Sequence, residues 1–377
     1  MKRTVCIKIR PTIEEEKVLF ALRAEFCKGC NQVAKIAFEQ NCFNKVKLHH
    51  LSYYHVRKES SLGSQMVCNS IRAVTGAYKA LKSRNKKKDL PLIEFKEKSI
   101  HFDKRTYSIK NEKLSLYTMK GRILVPMVLG ERQKELLRLG AFREAELVFT
   151  RGKWLFNLVI EIPDAQPSLK SGVMGVDLGE NNLFATSTGK ISGGKTLRDK
   201  RDRYLALRRR LQRNGSRSAK QLLKKISGRE RRHVKQINHE ESKKIIEEAI
   251  QKDIRKIHLE DLKNIRKRIQ GKKRERTRLH RWPWRQLQLF VEYKAAAQGI
   301  KLCYFDPAFT SKSCHECLKK DQLDCKQVKR VKHLLECNKC GNRAHADVNA
   351  ALNLAWLGKS ADSLRGVVSR PNVCTLV

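Results

Sequence analysis

Hydrophobic and polar positions divide the first 170 residues into stretches of different periodicity. Residues 4–10 alternate like a strand, and a helical pattern follows from Ile13 to about Lys82. From about Pro91 to Ile162, short alternating runs such as ILVPMVL and WLFNLVIEI predict further strands. Because helices separate the opening strand from the later ones, we predict a β-barrel interrupted by a helical insertion. The Pro-containing connector PDAQPSLKSG then leads into the rest of the chain.

Three predicted elements beyond this connector each carry a carboxylate. The apolar run Val173–Val176 predicts a buried strand that ends at Asp177 and is followed by a hairpin. Alternation in IRKIHLEDL predicts a second strand with Glu260 near its C-terminal end. Helical spacing in ADVNAALNLAWLG predicts a helix with Asp347 in its first turn, ended by Gly358 before a loose tail. Carboxylates that converge on one sheet edge favour Mg²⁺ or Mn²⁺, and two such ions can hold the attacking and leaving oxygens of a phosphodiester.

Any one of these acids alone is more often a cap, a turn residue or a surface residue, so their joint setting carries the prediction. Asp177 follows an apolar strand, where a buried charge is costly without a counter-ion. Glu260 is followed by Asp261. The spacing leaves open which of these two binds metal.

Two C-x-x-C pairs separated by 19 residues predict a closed tetrahedral site for structural Zn²⁺. The four predicted ligands are Cys314, Cys317, Cys337 and Cys340. Three nearby side chains are alternative ligands: His315, His333 and Cys325. Four thiolates would fill every coordination position of the zinc. The ion would then stabilise the fold of a basic loop and would have no catalytic role.

The other cysteines fit a reduced, intracellular protein. The chain has 12 cysteines, no apolar stretch of membrane-spanning length and no secretory signal, so we expect free thiols and a cytoplasmic location without membrane partners. Cys27 and Cys30 form a further C-x-x-C within a helical pattern. We interpret them as helix-packing residues, with metal binding as the alternative.

The net charge of the chain indicates the class of molecule that it binds. The chain carries 82 Lys and Arg against 38 Asp and Glu, a net charge of +44, and a polyanion such as nucleic acid would neutralise it. Residues 195–235 hold 17 basic and three acidic residues, and residues 263–285 hold 11 and one. Trp282 and Trp284 lie in the second run, either as core residues or as platforms for unpaired bases. We expect a monomer bound to nucleic acid, since so basic a chain repels a second copy.

The motifs GVDLGENN, LEDLKNI, FDPAFTSKSCHEC and ECNKCGNRAHADVNAALNLA together resemble the nuclease core and zinc ribbon of TnpB proteins. TnpB proteins are transposon-encoded, RNA-guided DNA nucleases related to type V CRISPR effectors. The resemblance extends over most of the chain, most specifically in the C-terminal block. RGKWLFNLVIE resembles the end of the family's wedge barrel, and the Ser64-Gln65 helix resembles its recognition lobe. Leu318 departs from the pattern, since a Gly often follows the first cysteine pair.

The resemblance implies a multidomain α+β protein with four parts. It places a wedge β-barrel at residues 1–10 and 91–165, a helical recognition lobe at 11–90, an RNase H-like RuvC domain at 166–305 and 343–377, and an inserted zinc ribbon at 306–342. It assigns Asp177, Glu260 and Asp347 as metal ligands, and so prefers Glu260 to Asp261.

The implied activity is guided cleavage. A guide RNA derived from the transposon would pair with one strand of double-stranded target DNA, while the protein reads a short adjacent motif. We expect this activity in a bacterial or archaeal cytoplasm, at the nucleoid. Three alternatives remain: a compact type V CRISPR effector, an RNA-guided binding protein without cleavage, and a transposase that joins DNA ends with the same metal chemistry.

Overall fold

The computed structural model describes residues 1–84, 90–169, 171–262, 282–305, 313–320 and 328–363. The chain divides into two compact units, Met1–Pro163 and Asp164–Val377. Each unit has its own cluster of buried apolar side chains. A chain of this length is expected to form more than one core.

The first unit is a seven-stranded antiparallel sheet with a helical insertion after its first strand. Its elements are β1 (Lys2–Ile9), α1 (Ile13–Glu39), α2 (Lys45–Glu59), α3 (Ser64–Arg84), β2 (Ser99–Phe102), β3 (Tyr107–Lys110), β4 (Lys113–Thr118), β5 (Gly121–Val128), α4 (Glu131–Leu139), β6 (Ala141–Thr150) and β7 (Lys153–Glu161). The strand order is β2-β6-β7-β1-β5-β4-β3. Since only residues 103–106 join the two edge strands, β2 and β3, the sheet curls into a nearly closed barrel.

The inserted helices bury one face against this sheet. Helix α1 begins with a capping box in which Thr12 and Glu15 bond each other's backbone N–H groups. The indole Nε1 of Trp154 on β7 donates to Glu16 at 3.0 Å. The predicted opening strand, helical insertion and β-rich stretch are therefore confirmed. Helix α4 is absent from the sequence prediction because its nine residues give too few turns to show a period.

Cys27 and Cys30 lie on α1 and serve packing. Cys30 is buried in the core, and the Cys27 thiol donates to the Phe95 carbonyl at 3.1 Å. Burial raises the pKa of both thiols. Their positions agree with the packing interpretation, since a metal ligand must be a thiolate.

The second unit carries a five-stranded mixed sheet and a smaller three-stranded sheet. Its elements are β8 (Gly172–Asp177), β9 (Asn182–Thr186), β10 (Ile191–Gly193), α5 (Lys195–Asn214), α6 (Arg217–Ile226), α7 (Arg229–Gln251), β11 (Ile254–Glu260), α8 (Trp284–Ala296), β12 (Lys301–Phe305), α9 (His315–Lys319), β13 (Val328–Val331), β14 (Leu334–Cys337), β15 (Arg343–His345) and α10 (Ala346–Ser363). The larger sheet has the order β10-β9-β8-β11-β12. Strands β10, β9 and β8 are antiparallel, whereas β8, β11 and β12 are parallel.

The structure tests two predictions about the second unit: the role of its two tryptophans and the end of its last helix. Trp282 and Trp284 are buried, with 1% and 6% of their surfaces exposed, so the core interpretation is confirmed and their rings are not platforms for bases. Gly358 does not end the last helix, because α10 continues to Ser363. A single glycine lowers helix stability by only about 1 kcal/mol relative to alanine. The residues after Gly358 are compatible with a helix, so α10 continues. The remaining tail, 364–377, lies outside the described residues.

Two basic helices, α5 and α6, form a hairpin with a small core of their own. Leu211 of α5 packs with Ala219 and Ile226 of α6. Most of the cationic side chains predicted in residues 195–235 lie exposed on these helices and on the start of α7. No helix of the described residues is long and apolar enough to cross a membrane.

Candidate active site and zinc centre

Two of the three predicted carboxylates leave neighbouring strands at the same sheet edge. Val176 of β8 and Leu259 of β11 are partners in a parallel ladder. The next residues are Asp177 and Glu260, and because the strands are parallel both lie at carboxyl ends. Such edges of mixed sheets are common binding positions. The peptide carbonyl of Glu260 accepts a 2.8 Å bond from the buried Gln288 side chain, which fixes the end of β11.

The third carboxylate reaches this edge because helix α10 crosses β8 at very close range. Asp347 lies in the first turn of α10. At Gly175, two residues before Asp177, a Cβ would come within 1.9 Å of the Ala351 carbonyl oxygen. A second contact joins β11 to α10, because His258 Nδ1 donates a hydrogen bond to the Leu354 carbonyl at 3.1 Å. Glycine at 175 thus permits the helix position that brings Asp347 to the two strand-borne acids.

Glu260 and Asp347 act electrostatically on Asp177. The pKa of Asp177 is raised from 3.8 to about 8, first by desolvation and then by the charges of Glu260 and Asp347. Arg330 and a backbone hydrogen bond of Leu178 act in the opposite direction. The charge of Glu260 thus acts directly on Asp177, as expected of an acid that faces the site.

Asp347 is held by two side chains that sequence reasoning missed. The guanidinium of Arg330, on β13, donates to Oδ1 of Asp347 at 2.7 Å, and the amide of Asn182, at the start of β9, donates to Oδ2 at 2.8 Å. Asn182 lies in the predicted hairpin that follows Asp177. An amide so close in sequence to a candidate metal ligand is a signal that sequence analysis could have used. Arg330 lies among many basic residues, and no local pattern distinguishes it.

The four cysteines form a compact thiolate cluster, as predicted. Sγ atoms of Cys314 and Cys340 lie 3.6 Å apart, and those of Cys317 and Cys337 lie 3.8 Å apart. All four Sγ atoms lie within 4.8 Å of one another. Zinc–sulfur bonds of about 2.3 Å in tetrahedral geometry place ligands about 3.8 Å apart, so this cluster fits Zn²⁺.

Among the described residues, these cysteines are the only group of three or more His, Cys, Asp or Glu whose ligand atoms gather closely enough to hold an ion. His315 and His333 are not part of it, and Cys325 lies outside the described residues. The carboxylates of Asp177, Glu260 and Asp347 approach each other without closing into such a group. Arg330 and Asn182 each hold one carboxylate oxygen of Asp347.

The cysteine cluster is linked by hydrogen bonds to the helix that carries Asp347. Asn349 and Asn353 of α10 are fully buried, and both amides donate to the Ser313 carbonyl, at 2.8 and 2.9 Å. Asn349 Oδ1 also accepts from the backbone N–H of His315 at 2.9 Å. Ser313 and His315 flank Cys314, the first cysteine of the cluster. The shape of the first cysteine loop therefore helps to fix the position of α10.

We expect Gly175→Ala to destabilise the second unit by about 2 kcal/mol or more, because its methyl group would overlap backbone atoms that cannot rotate away. Gly193→Ala, on β10 of the same sheet, is the matched control, since a Cβ there meets no atom within 4 Å. Thermal unfolding of both variants tests the contact. Equal melting temperatures for the two variants would show that α10 does not lie against Gly175.

Two family models match the chain. Residues 157–266 match the model described as "Probable transposase", and residues 284–354 match "Cas12f1-like, TNB domain". The matches include Asp177 and Glu260 in the first model and Asp347 with the four cysteines in the second.

Among curated proteins, the chain is 29% identical over 279 residues to a TnpB-like protein of Methanocaldococcus jannaschii, which covers 69% of this chain and 95% of that protein. It is 26% identical over 351 residues to the CRISPR-associated endodeoxyribonuclease Cas12f1 of Sulfoacidibacillus thermotolerans, over 82% of this chain and 80% of that protein. The fold is similar to that of Cas12f1 in a cryo-EM structure of its complex with sgRNA and target DNA. That match has a TM-score of 0.60 and 16% identity, over 91% of this chain and 83% of that one. A cryo-EM structure of CasPhi-2 bound to crRNA gives a TM-score of 0.53 at 11% identity, over 95% and 98% of the two chains. The chain is therefore similar to TnpB-like and Cas12f1 proteins over most of its length.

Proposed function

We propose that this protein is an RNA-guided DNA endonuclease that hydrolyses target DNA at the edge formed by β8, β11 and α10. The observation that carries the proposal is the convergence of Asp177, Glu260 and Asp347 beside Arg330 in a chain of net charge +44. Relatives named as endodeoxyribonucleases, and the likeness to a protein solved with sgRNA and target DNA, support guide RNA and double-stranded DNA as partners. We place this activity in a prokaryotic cytoplasm, at the nucleoid.

We assign the seven-stranded sheet to a wedge domain, the helices α1–α3 to a recognition lobe and the second unit to a RuvC-like domain with an inserted zinc ribbon. The mixed sheet supports an RNase H-like core, because its antiparallel strands β10, β9 and β8 are followed by the parallel strands β11 and β12. The three-stranded sheet β13-β14-β15, next to the cysteines, supports the ribbon.

The donor set fits Mg²⁺ or Mn²⁺. Asp177, Glu260 and Asp347 offer hard carboxylate oxygens. Burial raises the pKa of Asp177 first and the charges of Glu260 and Asp347 raise it further, and a divalent cation would offset both effects. Bound there, two such ions would activate a water for in-line attack and stabilise the leaving oxygen. Asn182 orients Asp347 through its 2.8 Å bond.

Arg330 is placed to act on the substrate. Its side chain is 45% exposed and reaches the site edge from the zinc ribbon. A guanidinium binds phosphate oxygens with a planar pair of N–H donors and so stabilises charge that develops in phosphoryl transfer. We therefore assign Arg330 to the scissile phosphate, while the exposed cations of α5 and α6 bind the nucleic-acid backbone.

We expect Arg330→Ala to lower the rate of cleavage by about a hundredfold or more, with zinc content unchanged. The matched control is Arg343→Ala, which removes an equally charged side chain from β15 of the same ribbon, where it pairs with Glu336 at the surface. Single-turnover cleavage of a target duplex by the guide-loaded proteins provides the comparison. An Arg330→Ala protein that cuts as fast as the Arg343→Ala protein would contradict the assignment.

Expression of the gene with its native flanking DNA, followed by sequencing of the RNA that copurifies, tests the proposed function. A discrete RNA whose 3′ end runs beyond the transposon supports guided cleavage. Heterogeneous cellular RNA, recovered repeatedly, would argue against it. The match to a model described as "Probable transposase" keeps DNA joining as the second candidate. A strand-transfer assay on the transposon ends separates joining from hydrolysis.

A further inference from the structure

Helix α7 carries a buried acid to which the proposed function gives no role. Glu248 is 5% exposed. Its Oε1 accepts hydrogen bonds from the hydroxyls of Thr186, at 2.9 Å, and of Thr188. These two hydroxyl oxygens are themselves 2.9 Å apart. Glu248 therefore attaches α7 to the turn that joins β9 to β10, residues 186–190, which we name the hydroxyl turn.

The hydroxyl turn is closed by hydrogen bonds of its own. The backbone N–H of Thr186 donates to the Lys190 carbonyl at 2.9 Å, and the N–H of Lys190 donates to Thr186 Oγ1 at 3.0 Å. Thr186 Oγ1 thus accepts a bond within the turn and donates one to Glu248. Because the turn is closed in this way, Glu248 holds it as one unit.

The same turn is bonded to the strand that carries Asp177. The N–H of Ser187 donates to the Gly175 carbonyl at 2.9 Å, and the N–H of Gly175 donates to Ser187 Oγ at 3.1 Å. Gly175 lies two residues before Asp177, where α10 crosses β8. In the adjoining ladder Asp177 is paired with Ala185 of β9. The hydroxyl turn thus sets how β9 lies along β8 beside Asp177.

Strand β9 connects the hydroxyl turn to the amide that holds Asp347. Asn182 and Thr186 are the first and last residues of this strand, and Asn182 donates to Asp347 Oδ2 at 2.8 Å. An extended strand already rises about 3.3 Å per residue and cannot stretch much further. A shift of the turn would therefore reach Asn182. A misplacement of about 1 Å far from the chemistry can lower a rate about a hundredfold.

An apolar side chain would serve packing better than an acid at position 248. The second carboxylate oxygen of Glu248, Oε2, is buried and has no hydrogen-bond partner among the residues that the structure describes. A buried polar atom in that state destabilises the fold. Buried charged groups can often be replaced by apolar residues of similar volume without loss of stability. Glu248 thus provides directed hydrogen bonds at the expense of stability.

We propose that Glu248 is a positioning residue of the nuclease site. Through the hydroxyl turn it fixes β9 on β8, and so places Asn182 and Asp347 relative to Asp177. Glu248 acts through these residues and contacts neither metal nor DNA. This inference rests on the proposed function, which assigns the three acids to DNA hydrolysis.

Substitutions on α7 test the proposal in the guide-loaded protein. Glu248→Leu removes both hydrogen bonds and leaves an apolar side chain of similar size. We expect its single-turnover cleavage rate to fall about a hundredfold, while its melting temperature stays close to that of wild type or rises. The Mg²⁺ concentration for half-maximal cleavage should also rise, because Asp347 is no longer held in place.

Two further variants separate the hydrogen bonds from burial and charge. Glu248→Gln keeps Oε1 as an acceptor and should cleave within about threefold of wild type. Glu241→Leu is the matched control, because Glu241 is equally buried on α7, at 5%, and bonds Lys244 of the same helix. It should cleave like wild type. Undiminished cleavage by Glu248→Leu, or equal losses in Glu248→Leu and either Glu248→Gln or Glu241→Leu, would overturn the proposal.

Hydrogen exchange follows the strand without any cleavage. In Glu248→Leu, amide exchange should become faster within residues 182–193 and stay unchanged in β11 and β12, whereas Glu248→Gln should match wild type. Thr188→Val removes one donor and keeps the side-chain shape. It replaces Glu248→Leu if that variant does not fold, and its cleavage rate should fall about tenfold.

The two readouts distinguish this proposal from the proposed function. Faster exchange within residues 182–193 of Glu248→Leu, without guided cleavage by wild type, would refute the proposed function alone. Guided cleavage by wild type, with unchanged exchange and rate in Glu248→Leu, would refute the positioning role alone.

Discussion

Asp177→Asn is expected to lower the rate of target cleavage by about a thousandfold or more, with RNA and DNA affinities within about twofold of wild type. The substitution removes one of the three carboxylates that we assign to the site, the one whose pKa both others raise. The lost carboxylate would help to bind the metal ions that stabilise the transition state by several kcal/mol. Loss of that much stabilisation corresponds to a rate change of this size. None of the cations that we assign to phosphate binding is altered. Single-turnover cleavage and filter-binding of the guide-loaded proteins measure the two quantities.

A second readout separates catalysis from folding. Burial and two neighbouring acids make the ionised form of Asp177 unfavourable. The uncharged amide variant should therefore melt no lower than wild type in EDTA. Added Mg²⁺ should raise the melting temperature of wild type and have little effect on Asp177→Asn. Asp261→Asn is the matched control beside Glu260 and should retain most of the cleavage rate. Undiminished cleavage by Asp177→Asn would refute the site, and loss in Asp261→Asn with retention in Glu260→Gln would exchange the roles of those two acids.

Cys337→Ser is expected to lower bound zinc from one ion per chain to near zero and to abolish cleavage, although no cysteine is assigned to substrate. A structural zinc site contributes about 10 kcal/mol or more of folding free energy in small zinc domains. The cluster supports the ribbon that carries Arg330, and the loop at Cys314 holds α10 through Asn349. Zinc analysis and thermal unfolding should therefore change together with cleavage.

Cys6→Ser is the thiol control for this experiment, since Cys6 lies exposed on β1 of the first unit. It should keep full zinc content and activity. Full cleavage by a zinc-free Cys337→Ser protein would show that the ribbon does not position the site. Zinc retained by Cys337→Ser would point to a substitute ligand, such as His315 or His333.

Local sequence pattern predicts the elements that carry the site because each has a strong period of its own. The strand ending at Asp177, the strand ending at Glu260 and the helix with Asp347 in its first turn all occur as predicted. Cysteine spacing predicts the thiolate cluster for a similar reason, since both pairs are local. The end of α10 shows the limit of such signals, because Gly358 alone does not stop a helix.

Contacts between distant segments are not encoded in any local pattern. Arg330 and Asp347 are 17 residues apart, and Asn182 lies 165 residues from Asp347. Their bonds depend on how the zinc ribbon and the β8–β9 hairpin meet α10. The buried amides of Asn349 and Asn353 likewise acquire their role only when Ser313 is brought over the helix. Sequence periodicity predicts which residues are on an element, and tertiary packing decides which of them meet.

The central claim is that base pairing with a bound RNA selects the DNA that the carboxylate site cuts. The most direct test loads the protein with either of two guide RNAs that differ only in the pairing segment. Each complex is then offered both matching duplexes in Mg²⁺, with Asp177→Asn as the inactive control. The account predicts that each complex cuts only the duplex matching its own guide. Cleavage that ignores the guide, or that persists in Asp177→Asn, would contradict it.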